Sequence, residues 1–189
     1  YEGNPVFNAP GFVTGSSAIT TSNGSLLLNN FSTLATTFTV ECFVRPSSVT
    51  GTTRIWLLRI YTGNPPMYLS LVGGNLQLSI VDVTGTTTTV FFVHPNLVAG
   101  TAYHLAVTYD PWVEKKTRLY INGVQANEQT ATVFPDTYRT ATWLCIGANA
   151  SATAPTISER FQGQIGEFAA YNYVLPPARV QAHYDARNT

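Results

Sequence analysis

Short runs of alternating or β-branched apolar residues follow one another along this chain, separated by turn dipeptides, and helical periodicity is nearly absent. No other feature of the sequence constrains the fold as much. The candidate strands are Ser25–Leu28, Phe38–Arg45, Arg54–Tyr61, Met67–Val72, Leu76–Val81, Thr88–Val93, Tyr103–Tyr109, Thr117–Ile121, Thr142–Ile146 and Gln164–Tyr171. Phe38, Val40, Cys42 and Val44 share one face of the second run, and Leu76-Gln77-Leu78-Ser79-Ile80 alternates strictly. Gly73-Gly74, Thr84-Gly85, Asp110-Pro111 and Asn122-Gly123 punctuate the runs. The Asn-Gly pair is the strongest hairpin signal, because both residues accept the positive φ of a type I′ turn.

Strands without helices between them exclude βαβ units. They predict an all-β fold, a two-sheet antiparallel jelly-roll sandwich. One short C-terminal helix is predicted over Pro176–Tyr184, where proline suits the first turn and Val180 and Tyr184 stand one turn apart. No linker, repeat or charge block divides residues 1–189, so the chain reads as one domain. Its start at Tyr1 rather than Met reads as a piece of a larger protein.

Composition narrows the function classes. Ten Lys and Arg balance ten Asp and Glu, and charged residues make up only 11% of the chain. The only basic run is Lys115-Lys116. A nucleic-acid partner is therefore not expected, since binding a phosphate backbone needs a basic stripe. No apolar stretch reaches the ~18 residues of a membrane-spanning helix. Ten Phe, ten Tyr and three Trp point to a packed core rather than disorder.

Three segments carry a family resemblance. The first is Phe38-Thr39-Val40-Glu41-Cys42-Phe43-Val44-Arg45-Pro46. The second is Tyr103-His104-Leu105-Ala106-Val107-Thr108-Tyr109-Asp110 with Arg118-Leu119-Tyr120-Ile121-Asn122-Gly123-Val124. The third joins Ile146-Gly147 to Phe161-Gln162-Gly163-Gln164-Ile165-Gly166-Glu167-Phe168-Ala169-Ala170-Tyr171-Asn172 and Leu175. In this order they resemble the laminin G-like domains of the concanavalin A-like lectin/glucanase superfamily, from about Phe38 to Tyr184. Tyr103 stands where the family more often has Trp, and Gly166 where it often has Asp. The resemblance implies a two-sheet jelly roll and a module that binds glycan or protein ligands. It names no ligand, because fold is not function.

The superfamily includes glucanases, whose paired acids stand on one strand. Here no two of the ten acidic residues are two positions apart, the spacing that puts neighbours on one strand face. An enzyme is not expected. Loss of β-glucan turnover on changing Glu41 or Glu167 would overturn that reading, through carboxylates converging from separate strands. No G-x-S-x-G, G-x-G-x-x-G or phosphate-loop motif occurs. His94, His104 and His183 are scattered, and His104 reads as a packed, hydrogen-bonded histidine. Calcium is common in the family, but Asp110 and Asp136, the best ligands available, read as turn-forming residues beside proline. No metal and no cofactor are expected. Cys42 and Cys145 admit two readings, an inter-strand disulfide or two buried free thiols, and their apolar surroundings favour the thiols.

A glycan needs flat rings against its CH face and amides for its hydroxyls. Rings in turns suit this best: Trp112 in the Asp110–Lys116 loop, Tyr61 before Thr62-Gly63-Asn64-Pro65-Pro66, and Tyr138 between Pro135 and Thr140. Asn64 and Asn149 could supply amides. Asn23, Asn30 and Asn149 also begin Asn-x-Ser sequons. The expected function is non-catalytic glycan recognition within a larger extracellular, cell-surface or virion-surface protein. The rival is a structural jelly roll that docks onto neighbouring subunits, as on a phage tail or capsid.

Overall fold

The computed structural model describes residues 2–3, 6–10, 17–20, 24–29, 37–60, 67–81, 86–92, 94–131, 141–150 and 157–186. Its strands are β1 (Glu2–Gly3), β2 (Val6–Pro10), β3 (Ser17–Thr20), β4 (Gly24–Asn29), β5 (Phe38–Pro46), β6 (Thr52–Ile60), β7 (Met67–Val72) and β8 (Asn75–Val81). They continue as β9 (Thr87–Phe91), β10 (Tyr103–Asp110), β11 (Lys116–Ile121), β12 (Val124–Thr130), β13 (Ala141–Ile146), β14 (Asn149–Ala150), β15 (Ile157–Ser158) and β16 (Gly163–Tyr171). One helix, α1 (Pro177–Asp185), follows. Sheet one runs β1-β4-β13-β6-β7-β8-β9 and sheet two β12-β11-β10-β5-β16-β3-β2, while β14 and β15 form a separate ribbon. Among the described residues the strands pair antiparallel, and one isolated parallel bridge joins Arg54 and Arg160. The fold is the predicted antiparallel β-sandwich with a short C-terminal helix. Among the described residues no helix is long and apolar enough to cross a membrane.

The alternation read in β5 places Phe38, Val40, Cys42 and Val44 in the core, against Trp56, Leu69, Leu78 and Leu144 of sheet one. Each such side chain stabilises the sandwich by about 1.5–3 kcal/mol through burial. Asn122 and Gly123 have φ of 54° and 78°, as a type I′ turn demands. The turn leads into β12, which the apolar pattern did not mark. Val124-Gln125-Ala126-Asn127-Glu128-Gln129-Thr130 is an edge strand, mostly exposed or half-buried, and it needs no apolar face.

The structure agrees with the thiol reading: Cys42 and Cys145 are both buried and are not joined in a disulfide. Cys42 points into the core. Cys145 points away from it, packing with Leu57 and Ala148 on the outer face of sheet one, and its Sγ–H donates to Ala148 O at 3.1 Å. The thickness of a sheet separates them. Burial pushes the Cys42 thiol well above its ordinary pKa.

The other face of β5, carrying Thr39, Glu41 and Phe43, is covered as well. The Thr39 hydroxyl donates to Tyr173 O (2.8 Å) and accepts the Leu175 N–H (2.9 Å), tying down the chain after β16. Leu175 and Val180 then pack on Ala106 and Tyr120, and Tyr184 packs on Phe43. Pro176 precedes the helix and proline opens its first turn, where a missing N–H costs nothing. Close contact between β5 and β16 begins at Gly163, with φ of 146° and space for no side chain: a Cβ there would lie 2.1 Å from Arg45 O.

Candidate functional site

Two constellations stand out, at different places on sheet two. The first is the β10–β11 loop. Asp110 ends β10, and its Oδ1 accepts the N–H groups of Trp112 (3.1 Å) and Val113 (2.9 Å) while its Oδ2 accepts that of Glu114 (3.2 Å). Burial raises the Asp110 pKa, but these backbone donors and the Arg118 charge outweigh it and hold the carboxyl below its ordinary value. Asp110 is thus the turn former the sequence indicated. Lys115, at φ 54°, returns the chain to β11. The result is a loop braced through its backbone, with Trp112 55% and Val113 86% exposed. Below it Arg118 pairs with Glu114 and with Glu128 (2.8 Å), and Lys116 pairs with Glu128. Tyr173 lies at the same end of the sandwich, just past the Thr39–Tyr171 pairing. Trp112, Val113 and Tyr173 are three of the five large hydrophobic side chains exposed among the described residues.

Asn149 lies at the opposite end. Ser47, which follows β5, donates its N–H to Gln162 O, Gly147 donates to Ile55 O, and Arg54 donates to Glu159 O. In that segment the Asn149 amide donates to Glu159 Oε2 at 3.0 Å. Glu159 in turn grips Arg54 through two bonds of 2.9 and 3.3 Å. Arg54 lies 3.8 Å from the centre of the Tyr68 ring and donates to Ser70 Oγ. The Asn149 side chain is therefore part of a clamp that joins residues 147–150 and 157–160 to sheet one. The structure does not bring Trp112 and Asn149 together. Tyr61, Asn64 and Tyr138 lie outside the described residues, as do Asp136 and the sequon residues Asn23 and Asn30.

The second constellation was not read as a site from the sequence. A cavity of about 260 Å³ opens between sheet two and α1, lined by Glu41, Phe43, His104, Glu167, Tyr171, His183 and Ala186. The Glu41 carboxylate is its hub. Oε1 accepts the Tyr171 O–H at 2.8 Å and lies 2.7 Å from His183 Nδ1. Oε2 lies 3.4 Å from His104 Nε2, outside hydrogen-bond geometry. Burial alone would raise the Glu41 pKa, but contact with His104, the Tyr171 hydrogen bond and the His183 charge prevail and hold it low. Burial and the same carboxylate push Tyr171 up to about 12. Glu167 has a φ of 46°, in a bulge where the β16 register slips between Gly166 and Ala169. Bulges of this kind re-aim side chains, and they concentrate near functional sites.

His104 is packed as the sequence suggested, 1% exposed against Phe43 and Tyr184. The scattering of the histidines does not survive folding, because His104 and His183 meet at Glu41. A faint signal existed: Glu41 is a charged residue inside an otherwise apolar strand. Its partners could not be read, since they lie 63 to 142 positions further along and arrive only through the sheet order and the docked helix. Among the described residues no group of three or more His, Cys, Asp and Glu could hold a metal ion.

No curated protein sequence matches the chain. Solved structures similar to it include the binding domain of botulinum neurotoxin serotype G, with TM-score 0.70, 13% identity, and coverage of 97% of this chain and 45% of that one. The binding domain of Paraclostridial Mosquitocidal Protein 1 gives 0.69 and 15%, covering 98% and 46%. A native heptameric SAP-like pentraxin from Limulus polyphemus gives 0.65 and 17%, covering 93% and 79%. At these identities the likeness is one of fold, and the chain spans less than half of the first two of these binding domains. The sequence match is broader. A laminin G model described as the concanavalin A-like lectin/glucanases superfamily matches residues 14–181, and with the fold and its three ordered segments in view the chain belongs to that superfamily.

Proposed function

We propose that this domain is a non-catalytic recognition module of a larger secreted or surface protein, with glycan as its ligand and the Trp112 end as its contact surface. The observation that carries this reading is the Asp110-organised loop, whose backbone is braced beneath an indole left open to solvent, so that less of the loop has to be ordered on binding. The same loop and the strand after it supply polar and charged groups to meet hydroxyls, in Glu114, Lys115 and Arg118. The superfamily, and the binding domains among the similar solved structures, support a binding role. A glycan array on the isolated domain tests it. Trp112→Ala should weaken any glycan found by about 1 kcal/mol or more, the scale of an interface hot spot. Unchanged affinity would remove Trp112 from the site.

The non-catalytic part has its own test. Glu41 and Glu167 line one cavity from separate strands, so β-glucan turnover that disappears in Glu41→Gln or Glu167→Gln would reverse it. A second reading draws on Val113, which is apolar and 86% exposed beside Trp112. Such a pair also suits docking onto a neighbouring subunit, and one structural neighbour is a heptamer. Concentration-dependent mass in solution that Trp112→Ala abolishes would favour this reading over glycan binding.

A further inference from the structure

The β10–β11 loop has a property that sugar recognition does not use. We propose that its Trp112-Val113 tip enters the interfacial layer of a lipid bilayer, with Lys115 facing anionic headgroups. This inference goes beyond the glycan reading and does not depend on it. The β10–β11 ladder ends at the Asp110–Lys116 rung, so residues 111–115 lie past the paired strands. There an indole and a valine, both exposed, stand next to each other in the chain. The exposed Val98 and Val124 have no such neighbour, and single apolar residues at a surface are ordinary. Tyr173 adds a half-exposed ring at the same end as Trp112, and Trp and Tyr are the residues that gather at membrane interfaces.

Backbone chemistry makes the tip fit for an apolar medium, where an open N–H group is costly. Pro111 has no N–H, and the N–H groups of Trp112, Val113 and Glu114 are all taken up by the Asp110 carboxylate. The Lys115 carbonyl accepts the Ala131 N–H at 2.9 Å. The charges beside the tip choose the lipid. Glu114 is matched by Arg118, and Glu128 by Arg118 and Lys116. Lys115 is exposed and has no carboxylate partner among the described residues, so the charge left over is positive, which suits an anionic headgroup. Size favours a bilayer over a protein partner. Two apolar side chains fall far short of the roughly 800 Å² per partner of a stable protein interface, whereas partition into lipid needs no matching surface.

The probe is sugar-free vesicles, of phosphatidylcholine alone or with an equal part of phosphatidylserine, with and without brominated acyl chains. Cosedimentation measures partition, and quenching of tryptophan emission by bromine measures depth. The domain should partition onto the mixed vesicles at about millimolar lipid, the scale set by burying two side chains. Brominated chains should quench emission in the parent and not in Trp112→Phe. Val113→Asp should weaken partition at least about tenfold with the urea midpoint unchanged, because position 113 is exposed. Lys115→Gln should weaken binding to the mixed vesicles about fivefold and leave binding to phosphatidylcholine alone as it is. No partition onto mixed vesicles, quenching that survives in Trp112→Phe, or unchanged partition in Val113→Asp or Lys115→Gln would each overturn the proposal. So would self-association that Val113→Asp abolishes in a domain that leaves vesicles unbound, which would assign the tip to a second copy. Because the vesicles carry no sugar, failure here and failure of the glycan reading are separate results.

Discussion

The Trp112 loop and the Glu41 cavity both belong to sheet two, yet they are assembled in opposite ways. Asp110 holds its loop through amides two, three and four residues ahead. Glu41 meets Tyr171 and His183 across 130 and 142 residues of chain. The first arrangement is local, exposed at its tip and separable from the fold. The second ties the first long strand to the last strand and the helix, so its chemistry and the closure of the domain are coupled. A surface loop can therefore change ligand with little effect on stability, whereas the cavity cannot change without loosening α1.

Substitutions at the two places should differ accordingly. Glu41→Leu removes the partner of Tyr171, His183 and His104 at once, and should cost about 3 kcal/mol in urea unfolding. A loss below about 0.5 kcal/mol, the level of an ordinary surface change, would deny the cavity its structural part.

Acid should probe the same coupling. The folded pKa of Glu41 is depressed, so its stabilisation is complete above the unfolded value of 4.5 and is lost as pH falls through the lower folded value. Asp110 acts in the same direction below 3.8. Stability should decline on acidification below about pH 4.5, and the decline should be shallower in Glu41→Gln than in the parent. Identical acid limbs would contradict the Glu41 network.

Smaller effects belong to the loop. Asp110→Ala should cost about 1 kcal/mol, as loss of a comparable capping carboxylate does. It should speed amide exchange at Trp112, Val113 and Glu114 while leaving β5 and β16 protected. Exchange that rises equally in those strands would show that the loop is not separable. Smallest of all, Trp112→Ala should shift stability by less than about 0.5 kcal/mol, because the ring is half exposed.

The same contrast governs what could be read in advance. The sandwich, the Asn122-Gly123 turn and the C-terminal helix were legible because alternation, turn chemistry and proline placement are local signals. Asp110 was legible as a turn residue for the same reason. Edge strand β12 was not, since its polar residues carry no period against a core. Glu41 escaped as a hub because its neighbours Ala106 and Ala169 come from strands paired on either side, and His183 from the helix above. Asn149 was legible as an amide but not as Glu159's partner, because that contact depends on the pairing of Asn149–Ala150 with Ile157–Ser158.

Recognition through the Trp112 end is tested most directly by mapping backbone amide shifts while the isolated domain is titrated with its best array glycan. The expected result is saturable shifts concentrated in residues 110–116 and at Tyr173, with the Asn122-Gly123 turn and the 157–162 segment silent. Shifts centred on Asn122-Gly123 or on 157–162, with the Trp112 loop unmoved, would contradict it.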